Sequence, residues 1–319
     1  MFCLSLRLEK NNIRMEIIDQ IKQLKAEKNA IILAHYYTRP EVQDIADYLG
    51  DSLGLSQMAG STEADIIVFC GVHFMAETAS IISPNKKVLI PAKGAGCSLA
   101  EGVTGYDLRE WKKANPDGII VSYVNTTAEV KAYTDYCCTS SNALKVVQSL
   151  PKDKKILFVP DCNLGTYIQK MTGREMEIWQ GNCCVHHPIT AEMVLRRLEE
   201  YPEADALIHP ESSCSHDDRV LHHPRAFMYS TAGIIKHAKE SPKQQFIIAT
   251  ELETIHKLKK DNPDKEFIPI HAKTICGQMK KVTLEGVLDA LKYEQHEVCV
   301  PEELREKAWL PIQRMLAIK

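Results

Sequence analysis

The chain contains three apolar segments that each end in polar side chains: IILAHYY (31–37), IIVSYVN (119–125) and ALIHPE (206–211). Short apolar runs of this length are typical of strands in a parallel sheet that is covered on both faces. The polar residues of each segment are spaced by two, so they point to the same side of an extended strand. The sequence therefore predicts three buried strands, each with a pair of reactive side chains at its carboxyl end.

Each segment begins a repeat of the same pattern. Behind it come a cluster of small polar residues that starts a helical pattern, a second apolar strand, a helix and a third strand. The clusters lie at 51–53, 139–142 and 230–233, the second strands at 65–71, 156–161 and 246–251, and the third strands at 88–92, 176–181 and 267–271. A cysteine follows each third strand, 45, 43 and 45 residues after Ser52, Ser140 and Thr231 respectively. The agreement of these spacings predicts three equivalent structural units.

The predicted fold class is α/β, with three similar small α/β/α units that have parallel sheets and are related by pseudo-threefold symmetry. Ligands bind at the carboxyl ends of the strands in such sheets, so the active site is expected at the common interface of the units. The expected ranges are 15–104, 105–188 and 189–283 for the three α/β domains, 284–319 for a C-terminal segment with a long helical pattern, and 1–14 for a non-native or disordered extension. The extension is expected because an amphipathic pattern starts only at Met15, an alternative initiation residue.

The composition is that of an ordinary globular protein. Of the 319 residues 45% are hydrophobic and 25% are charged, and the net charge of −3 gives no basic footprint for nucleic acid or an anionic membrane. No apolar run approaches the roughly 18–20 residues of a membrane-spanning helix, and the first residues lack the apolar core of a signal peptide. We therefore expect a cytoplasmic protein that acts on small molecules and has no nucleic-acid or membrane partner.

Cysteine usage gives the first chemical clue. Eleven cysteines are many for a cytoplasmic chain, where disulfides are disfavoured, and they indicate a metal or a reactive thiol. Cys97, Cys183 and Cys276 occupy the equivalent position in the three repeats. Three thiolates that converge from three units suit an iron–sulfur cluster and leave one iron open. Zinc is the competing metal, although zinc sites usually contain close cysteine pairs and these three are far apart in sequence.

The other cysteines have no such equivalents and are expected in the core or at the surface. They are Cys3, Cys70, Cys137, Cys138, Cys162, Cys184, Cys214 and Cys299. Cys184 and Cys214 compete most closely as alternative ligands, because one adjoins a predicted ligand and the other follows a polar strand end.

Nine polar residues are expected to surround the same point. Six of them stand at the strand ends, namely His35, Tyr37, Tyr123, Asn125, His209 and Glu211. Ser52, Ser140 and Thr231 lie where helices are expected to begin, and helix N-termini bind carboxylate or phosphate groups. Taken alone, each residue is equally explained by a structural role such as helix capping. Taken together, they favour a small substrate with several negative charges.

Several motifs, in order along residues 15–319, link the chain to a known family. They are ILAHYYTRPEVQDIADYLGDSL, IVFCGVHFMAETA, GCSLA, YVNTTAEVKAYTDYCCTSSNA, PDCNLG, GNCCVH, IHPE, STAGII and ICGQMK. In these motifs the chain resembles the quinolinate synthase family. The resemblance implies the condensation of iminoaspartate with dihydroxyacetone phosphate to quinolinate, with release of phosphate and water, in NAD biosynthesis. It also implies a [4Fe-4S] cluster with three cysteine ligands and one open iron site.

The resemblance assigns roles to individual positions. The cluster ligands match Cys97, Cys183 and Cys276. The substrate-contacting set matches His35, Ser52, Tyr123, Asn125, Ser140, His209, Glu211 and Thr231, and further active-site positions match Tyr37 and His186. One departure is the sequence Ser212-Ser213-Cys214 after the HPE motif, where family members often continue with Cys-Pro. It places the local loop in doubt, although not the histidine and glutamate of the motif.

The expected mechanism uses the open iron as a Lewis acid, with no net electron transfer. Glu211 is the expected general base, assisted by His209, while Tyr37 and His35 orient the substrate and move protons. The three hydroxyl residues are expected to hold carboxylates or phosphate.

Two other functions remain open for the chain. One is another [4Fe-4S] hydro-lyase, and the other is a non-enzymatic iron–sulfur redox sensor, although the sequence shows no basic recognition helix as an output. For the enzyme, the expected protein partner is the enzyme that makes iminoaspartate, through a transient contact.

Overall fold

Three four-stranded parallel sheets organise the computed structural model, which describes residues 2–318, with side chains from residue 12 onward. The first sheet contains β1 (Ala30–His35), β2 (Tyr48–Gly50), β3 (Ile66–Cys70) and β4 (Lys87–Leu89). The second contains β5 (Ile119–Tyr123), β6 (Tyr136–Cys138), β7 (Ile156–Val159) and β8 (Glu177–Ile178). The third contains β9 (Asp205–Ile208), β10 (Ala226–Met228), β11 (Gln245–Ala249) and β12 (Glu266–Pro269).

The strand order is the same in all three sheets: β2-β1-β3-β4, β6-β5-β7-β8 and β10-β9-β11-β12. Every neighbouring pair is parallel. The strands β1, β5 and β9, which the quoted segments predict, each pair with a neighbour along both edges, and with helices packed on the sheets most of their side chains are buried. The α/β class and the three similar units are thereby confirmed.

The sequence patterns identify three of the four strands in each unit. The strands that they miss are β2, β6 and β10, which have three residues each. A segment this short carries no periodicity of its own, and it becomes a strand because it pairs with the edge of β1, β5 or β9.

The helices cover the sheets in an equally regular order. After the first strand of each unit come α2 (Pro40–Ile45), α6 (Ala128–Ala132) and α10 (Asp218–Leu221). After the second come α3 (Ser52–Ser61), α7 (Ala143–Ser149) and α11 (Thr231–Glu240), and after the third come α4 (His73–Ile82), α8 (Cys162–Thr172) and α12 (Thr254–Asp261). The units are preceded by α1 (Phe2–Glu27), α5 (Gly105–Ala114) and α9 (Ala191–Glu200). Within residues 2–318, none of the helices combines the length and apolar character that crossing a membrane requires.

The first helix starts ahead of the amphipathic pattern that begins at Met15, because α1 includes residues 2–14. The side chains of residues 1–11 lie outside the described part of the chain. The expectation that residues 1–14 form an extension therefore stays a prediction, as do the expected domain boundaries.

The C-terminal segment contains two helices instead of the single long pattern over 284–317. They are α13 (Leu284–Tyr293) and α14 (Glu302–Ala317). The break occurs where Glu294 and His296 adopt positive φ angles of 49° and 60°, and Glu297 then forms an antiparallel bridge to Leu89. Helix α13 packs with α1 on the first sheet, whereas α14 packs on the second unit. The end of the chain thus completes the cores of two different units.

Candidate active site

All thirteen residues predicted from the sequence line one cavity. It lies where the carboxyl ends of β1, β5 and β9 come together, and it has a volume of about 820 Å³, including space open to solvent. The predicted residues in its walls are His35, Tyr37, Ser52, Cys97, Tyr123, Asn125, Ser140, Cys183, His186, His209, Glu211, Thr231 and Cys276. The three units therefore share one site at their interface.

The histidines at the carboxyl ends of β1 and β9 are held in the same way. The backbone N–H of Tyr37 donates to His35 Nδ1 at 3.2 Å, and that of Glu211 donates to His209 Nδ1 at 3.4 Å. Because Nδ1 accepts, the proton of each neutral ring lies on Nε2. Burial lowers the pKa of His35 and of His209 to about 3, so both rings are neutral at pH 7. Each ring offers the cavity an N–H donor instead of a base.

Glu211 is the centre of a buried hydrogen-bond network. Its Oε1 accepts from the Tyr123 hydroxyl at 2.6 Å and from the Asn125 amide at 3.3 Å, and its Oε2 lies 2.8 Å from His186 Nδ1. Burial by itself raises the pKa of Glu211, but the neighbouring His186 and the hydrogen bonds from His186 and Tyr123 hold it below its ordinary value. The carboxylate is therefore ionised, and the proton between it and His186 lies on Nδ1 of the ring.

The hydroxyl of Tyr37 connects the first unit to this network. It lies 2.7 Å from Thr231 Oγ1 and 2.8 Å from Thr250 Oγ1, and the latter lies 3.0 Å from His186 Nε2. Burial raises the pKa of Tyr37 well above its ordinary value, so the phenol keeps its proton. A continuous path of hydrogen bonds thus runs from Tyr37 through Thr250 and His186 to Glu211.

Two ten-residue helices, α3 and α11, begin at the predicted hydroxyl residues Ser52 and Thr231. Their N-caps are the preceding residues, since Asp51 and Ser230 accept from the backbone N–H three residues further on, at 3.1 and 3.2 Å. The capping alternative is therefore wrong for Ser52 and Thr231.

Ser140 differs from its two counterparts because α7 starts only at Ala143. The side chain of Asn142 accepts from the backbone N–H of Thr139 at 2.8 Å and so stabilises a turn ahead of the helix. Ser140 lies in this turn and not at a helix N-terminus, although its Oγ still lines the cavity, 3.5 Å from His209 Nε2.

The predicted ligand cysteines lie on three loops, one after the last strand of each unit. Cys97 follows β4, Cys183 follows β8 and Cys276 follows β12, and all three line the cavity. Burial raises the pKa of Cys97 to about 12 and raises that of Cys183 and Cys276 as well. The thiols are therefore protonated until a bound metal displaces their protons.

The spacing of these thiols shows what size of metal group they fit. Among the residues with described side chains, one set of three ligand atoms lies within 4.8 Å of one another, and it consists of Cys183, His186 and Glu211. Cys97, Cys183 and Cys276 do not form a set this tight. Thiolates bound to one tetrahedral zinc at about 2.3 Å lie only about 4 Å apart. In this structure the three cysteine sulfurs are therefore more widely spaced than the ligands of one zinc ion.

Carboxylates hold the backbone of two of the cysteine loops. The N–H of Cys276 donates to Glu251 Oε1 at 3.0 Å, and that of Cys97 donates to Glu101 Oε1 at 3.3 Å. Lys280 Nζ lies 2.7 Å from the same Glu251 oxygen. These contacts hold the backbone of the two loops.

The remaining cysteines lie in the core or at the surface, as expected. Buried in the core are Cys70, Cys137, Cys138 and Cys214, and exposed or half-exposed are Cys162, Cys184 and Cys299. The side chain of Cys3 lies outside the described part. Cys184 lies in the wall of the cavity beside Cys183, whereas Cys214 packs in the core of the third unit and does not line the cavity.

Buried polar residues near the site that were not predicted include Thr250 and Asp161. Thr250 links Tyr37 to His186, and Asp161 accepts from the backbone N–H of Leu164 at 2.7 Å as the N-cap of α8. Asp161 and Thr250 lie at the ends of the predicted strands 156–161 and 246–251, which are β7 and β11. The signal that identified the other polar residues, a polar side chain at the end of an apolar strand, therefore also applies to them.

Acidification is expected to destabilise the protein through the two neutral histidines. Their pKa is about 3 in the folded state and about 6.5 in an unfolded chain, so the unfolded state binds more protons between these values. Stability is therefore fully present above pH 6.5 and is lost as the pH falls, by roughly 2 kcal/mol per histidine at pH 5. Urea unfolding at pH 7 and pH 5 measures the loss.

The double variant His35→Gln/His209→Gln should show a flatter pH dependence than the parent chain. The exposed His222→Gln is the matched control and should leave the dependence unchanged. An equal loss of stability in the double variant would show that other groups take up the protons.

Comparison with known proteins places the chain among relatives of similar length. Residues 19–317 match the family model described as quinolinate synthetase A protein. The chain is 50% identical over 301 residues to the quinolinate synthase of Pyrobaculum aerophilum, covering 93% of this chain and 98% of the relative. It is 47% identical over 302 residues to that of Thermus thermophilus, with 95% and 97% covered. For that of Trichodesmium erythraeum the identity is 45% over 325 residues, with 100% and 99% covered.

Proposed function

The chain belongs to the quinolinate synthetase A family and is a quinolinate synthase of NAD biosynthesis, and we propose that it condenses iminoaspartate with dihydroxyacetone phosphate, releasing phosphate and water. The observation that carries the proposal is the convergence of side chains from three units on one cavity. No single unit contains a donor, an acceptor and a thiol set sufficient for the reaction.

We propose that Cys97, Cys183 and Cys276 hold a [4Fe-4S] cluster. Three thiols, one from each unit, suit the three-ligand type of cluster, and their spacing, wider than that of ligands around one zinc ion, supports this assignment. When bound in this way, such a cluster supplies one open iron as a Lewis acid. Cys184 is left outside the ligand set, because it has no equivalent in the other two units.

The anionic groups of the substrates are proposed to bind at Ser52, Ser140 and Thr231. No lysine or arginine lines the cavity in the described part of the chain. Backbone N–H groups at the start of α3 and α11, together with the three hydroxyls, are therefore the available partners for carboxylate and phosphate.

The proton chemistry divides between acceptor and donors. Glu211 is ionised and is the proposed proton acceptor, with its orientation fixed by Tyr123 and His186. His35 and His209 carry their protons on Nε2, so we propose that they donate hydrogen bonds to developing negative charge on the substrate. His209 thereby assists Glu211 as a donor, not as a second base. Tyr37 closes the path of hydrogen bonds through Thr250 and His186.

Two wider expectations belong to the same proposal. The enzyme acts on small molecules, and since an imine hydrolyses in water, delivery through a transient contact with the enzyme that makes it is proposed. We propose the cytoplasm as its location.

Anaerobic purification tests the proposal directly. The expected result is a coloured protein that contains about four iron and four sulfide per chain and forms quinolinate from oxaloacetate, ammonia and dihydroxyacetone phosphate. A colourless chain with tightly bound zinc contradicts the cluster. A loaded cluster without quinolinate formation contradicts the substrates and favours a different hydro-lyase or a sensor.

A further inference from the structure

One buried amide side chain donates hydrogen bonds to the backbone of the loop that carries Tyr37. Gln43 is the fourth residue of α2 and is 5% exposed. Its Nε2 donates to the carbonyl oxygens of Tyr36 at 2.8 Å and of Thr38 at 2.9 Å. Both neighbours of Tyr37 therefore turn their carbonyls toward the same side chain.

The loop that carries Asn125 is fastened in the same way by a lysine. Lys131 is the fourth residue of α6 and is fully buried. Its Nζ donates to the carbonyl oxygen of Val124 at 2.9 Å and to that of Thr126. Gln43 and Lys131 each lie eight residues after the last residue of the preceding strand, β1 or β5, so they are equivalent positions of the repeat.

The contacts of Lys131, which does not line the cavity, influence the position of Asn125, which does. With the carbonyls of Val124 and Thr126 bound by Lys131, the intervening Asn125 is left to line the cavity, where its amide donates to Glu211 at 3.3 Å. Tyr123, the last residue of β5, donates to the same carboxylate at 2.6 Å. A shift of this loop would displace Asn125 and disturb Tyr123, two of the three donors to the proposed proton acceptor.

The charge of Lys131 is not compensated by an ion pair. Within residues 12–318, no carboxylate lies within ion-pair distance of its Nζ, which is 5.6 Å from the centroid of the Phe74 ring. An unpaired buried cation is costly, and in the first unit a neutral amide makes the corresponding bonds. The property that the two positions share is a pair of donated hydrogen bonds to the carbonyls that flank a cavity residue, and not the charge.

The third unit has a different arrangement. Its loop carries Glu211, whose carbonyl oxygen accepts from Asn163 Nδ2 of the second unit at 2.9 Å. An additional short helix, Ser213–His216, stands between this loop and α10. The shared arrangement therefore belongs to the first two units, at Gln43 and Lys131.

We propose that Lys131 and Gln43 are positioning residues that hold the Asn125 and Tyr37 loops in their reactive arrangement by donating to the two carbonyls that flank each of these residues. The functional part of the proposal rests on the proposed reaction. The structural part does not, since it concerns the order of the loop itself.

The matched variants are Lys131→Gln, which introduces the amide of the first unit, and Lys131→Met, which keeps a long side chain but removes every donor. Anaerobic holoenzyme is examined by hydrogen–deuterium exchange of a peptide that covers 119–127, with the peptide covering 31–39 as the internal reference. The same samples give kcat, KM and iron content. Gln43→Met removes the corresponding donors in the first unit.

For Lys131→Met, faster exchange is expected in 119–127 but not in 31–39, together with a fall in kcat of about 10- to 100-fold at unchanged iron content. Lys131→Gln should restore slow exchange and keep kcat within about threefold of the parent chain. Gln43→Met should accelerate exchange in 31–39 alone.

Three results would overturn the proposal. The first is unchanged exchange in folded Lys131→Met, and the second is faster exchange that leaves kcat and KM unaltered. The third is a folded Lys131→Gln that loses more than about tenfold in kcat, since the charge would then be the essential property. If Lys131→Met does not fold, the Lys131→Gln result decides. If the parent chain forms no quinolinate, the proposed reaction fails, while the exchange data still decide the structural part.

Discussion

Replacing Cys97, Cys183 or Cys276 by alanine is expected to abolish the iron–sulfur cluster and quinolinate formation together. Each thiol comes from a different unit, and no other cysteine of the described part occupies an equivalent loop position. Loss of one ligand leaves two thiols that cannot retain a cluster of the three-ligand type. Iron and sulfide counts per chain after anaerobic reconstitution, with the visible absorbance, provide the measurement.

Cys184→Ala is the closest control, because Cys184 adjoins Cys183, is exposed and lies in the wall of the same cavity. It should retain the full iron and sulfide content. If Cys184→Ala loses the cluster while Cys183→Ala keeps it, the ligand from the second unit is Cys184 and not Cys183. Retention of a full cluster by Cys97→Ala or Cys276→Ala would contradict the proposal that each of the three units supplies one ligand.

Replacing Glu211 by glutamine is expected to lower kcat by about 10²- to 10⁴-fold, the usual range for loss of a general base. Glutamine keeps the shape of the side chain and can still accept from Tyr123, but it cannot take a proton. Its amide also faces the Nδ1 of His186, which donates to the carboxylate in the parent chain. Quinolinate formation by cluster-loaded protein, measured across pH, gives the comparison.

Two observations keep this test specific to Glu211. Iron content and melting temperature show whether the variant retains the cluster and the fold. The exposed Glu203→Gln makes the same chemical change far from the cavity and should leave kcat unaltered. Turnover at the parent rate by cluster-loaded Glu211→Gln would assign the base to another group.

The architecture followed from sequence where side-chain patterns are strong. The strands β1, β5 and β9 are buried on both faces, so their apolar runs are continuous, and the polar residues at their ends could be placed by spacing alone. Repetition made the cysteines distinguishable, because any one of them by itself is indistinguishable from a core residue.

The missed features depend on contacts that a local pattern does not contain. The strands β2, β6 and β10 exist through pairing, and the break between α13 and α14 exists because Glu297 bridges to Leu89. Helix α7 starts late because the side chain of Asn142 bonds backward to Thr139. Whether a hydroxyl caps a helix or faces a cavity was likewise decided by a neighbour, Asp51 or Ser230.

The distribution of the three predicted ligands over three units has a thermodynamic consequence. A group that binds all three cysteines binds only the arrangement in which the units are assembled, so its binding free energy adds to the free energy that holds them together. If the proposed cluster is the bound group, loss of one thiol ligand would weaken the contacts of its unit with both of the others. Loss of the cluster and weaker association of the three units are then expected to occur together.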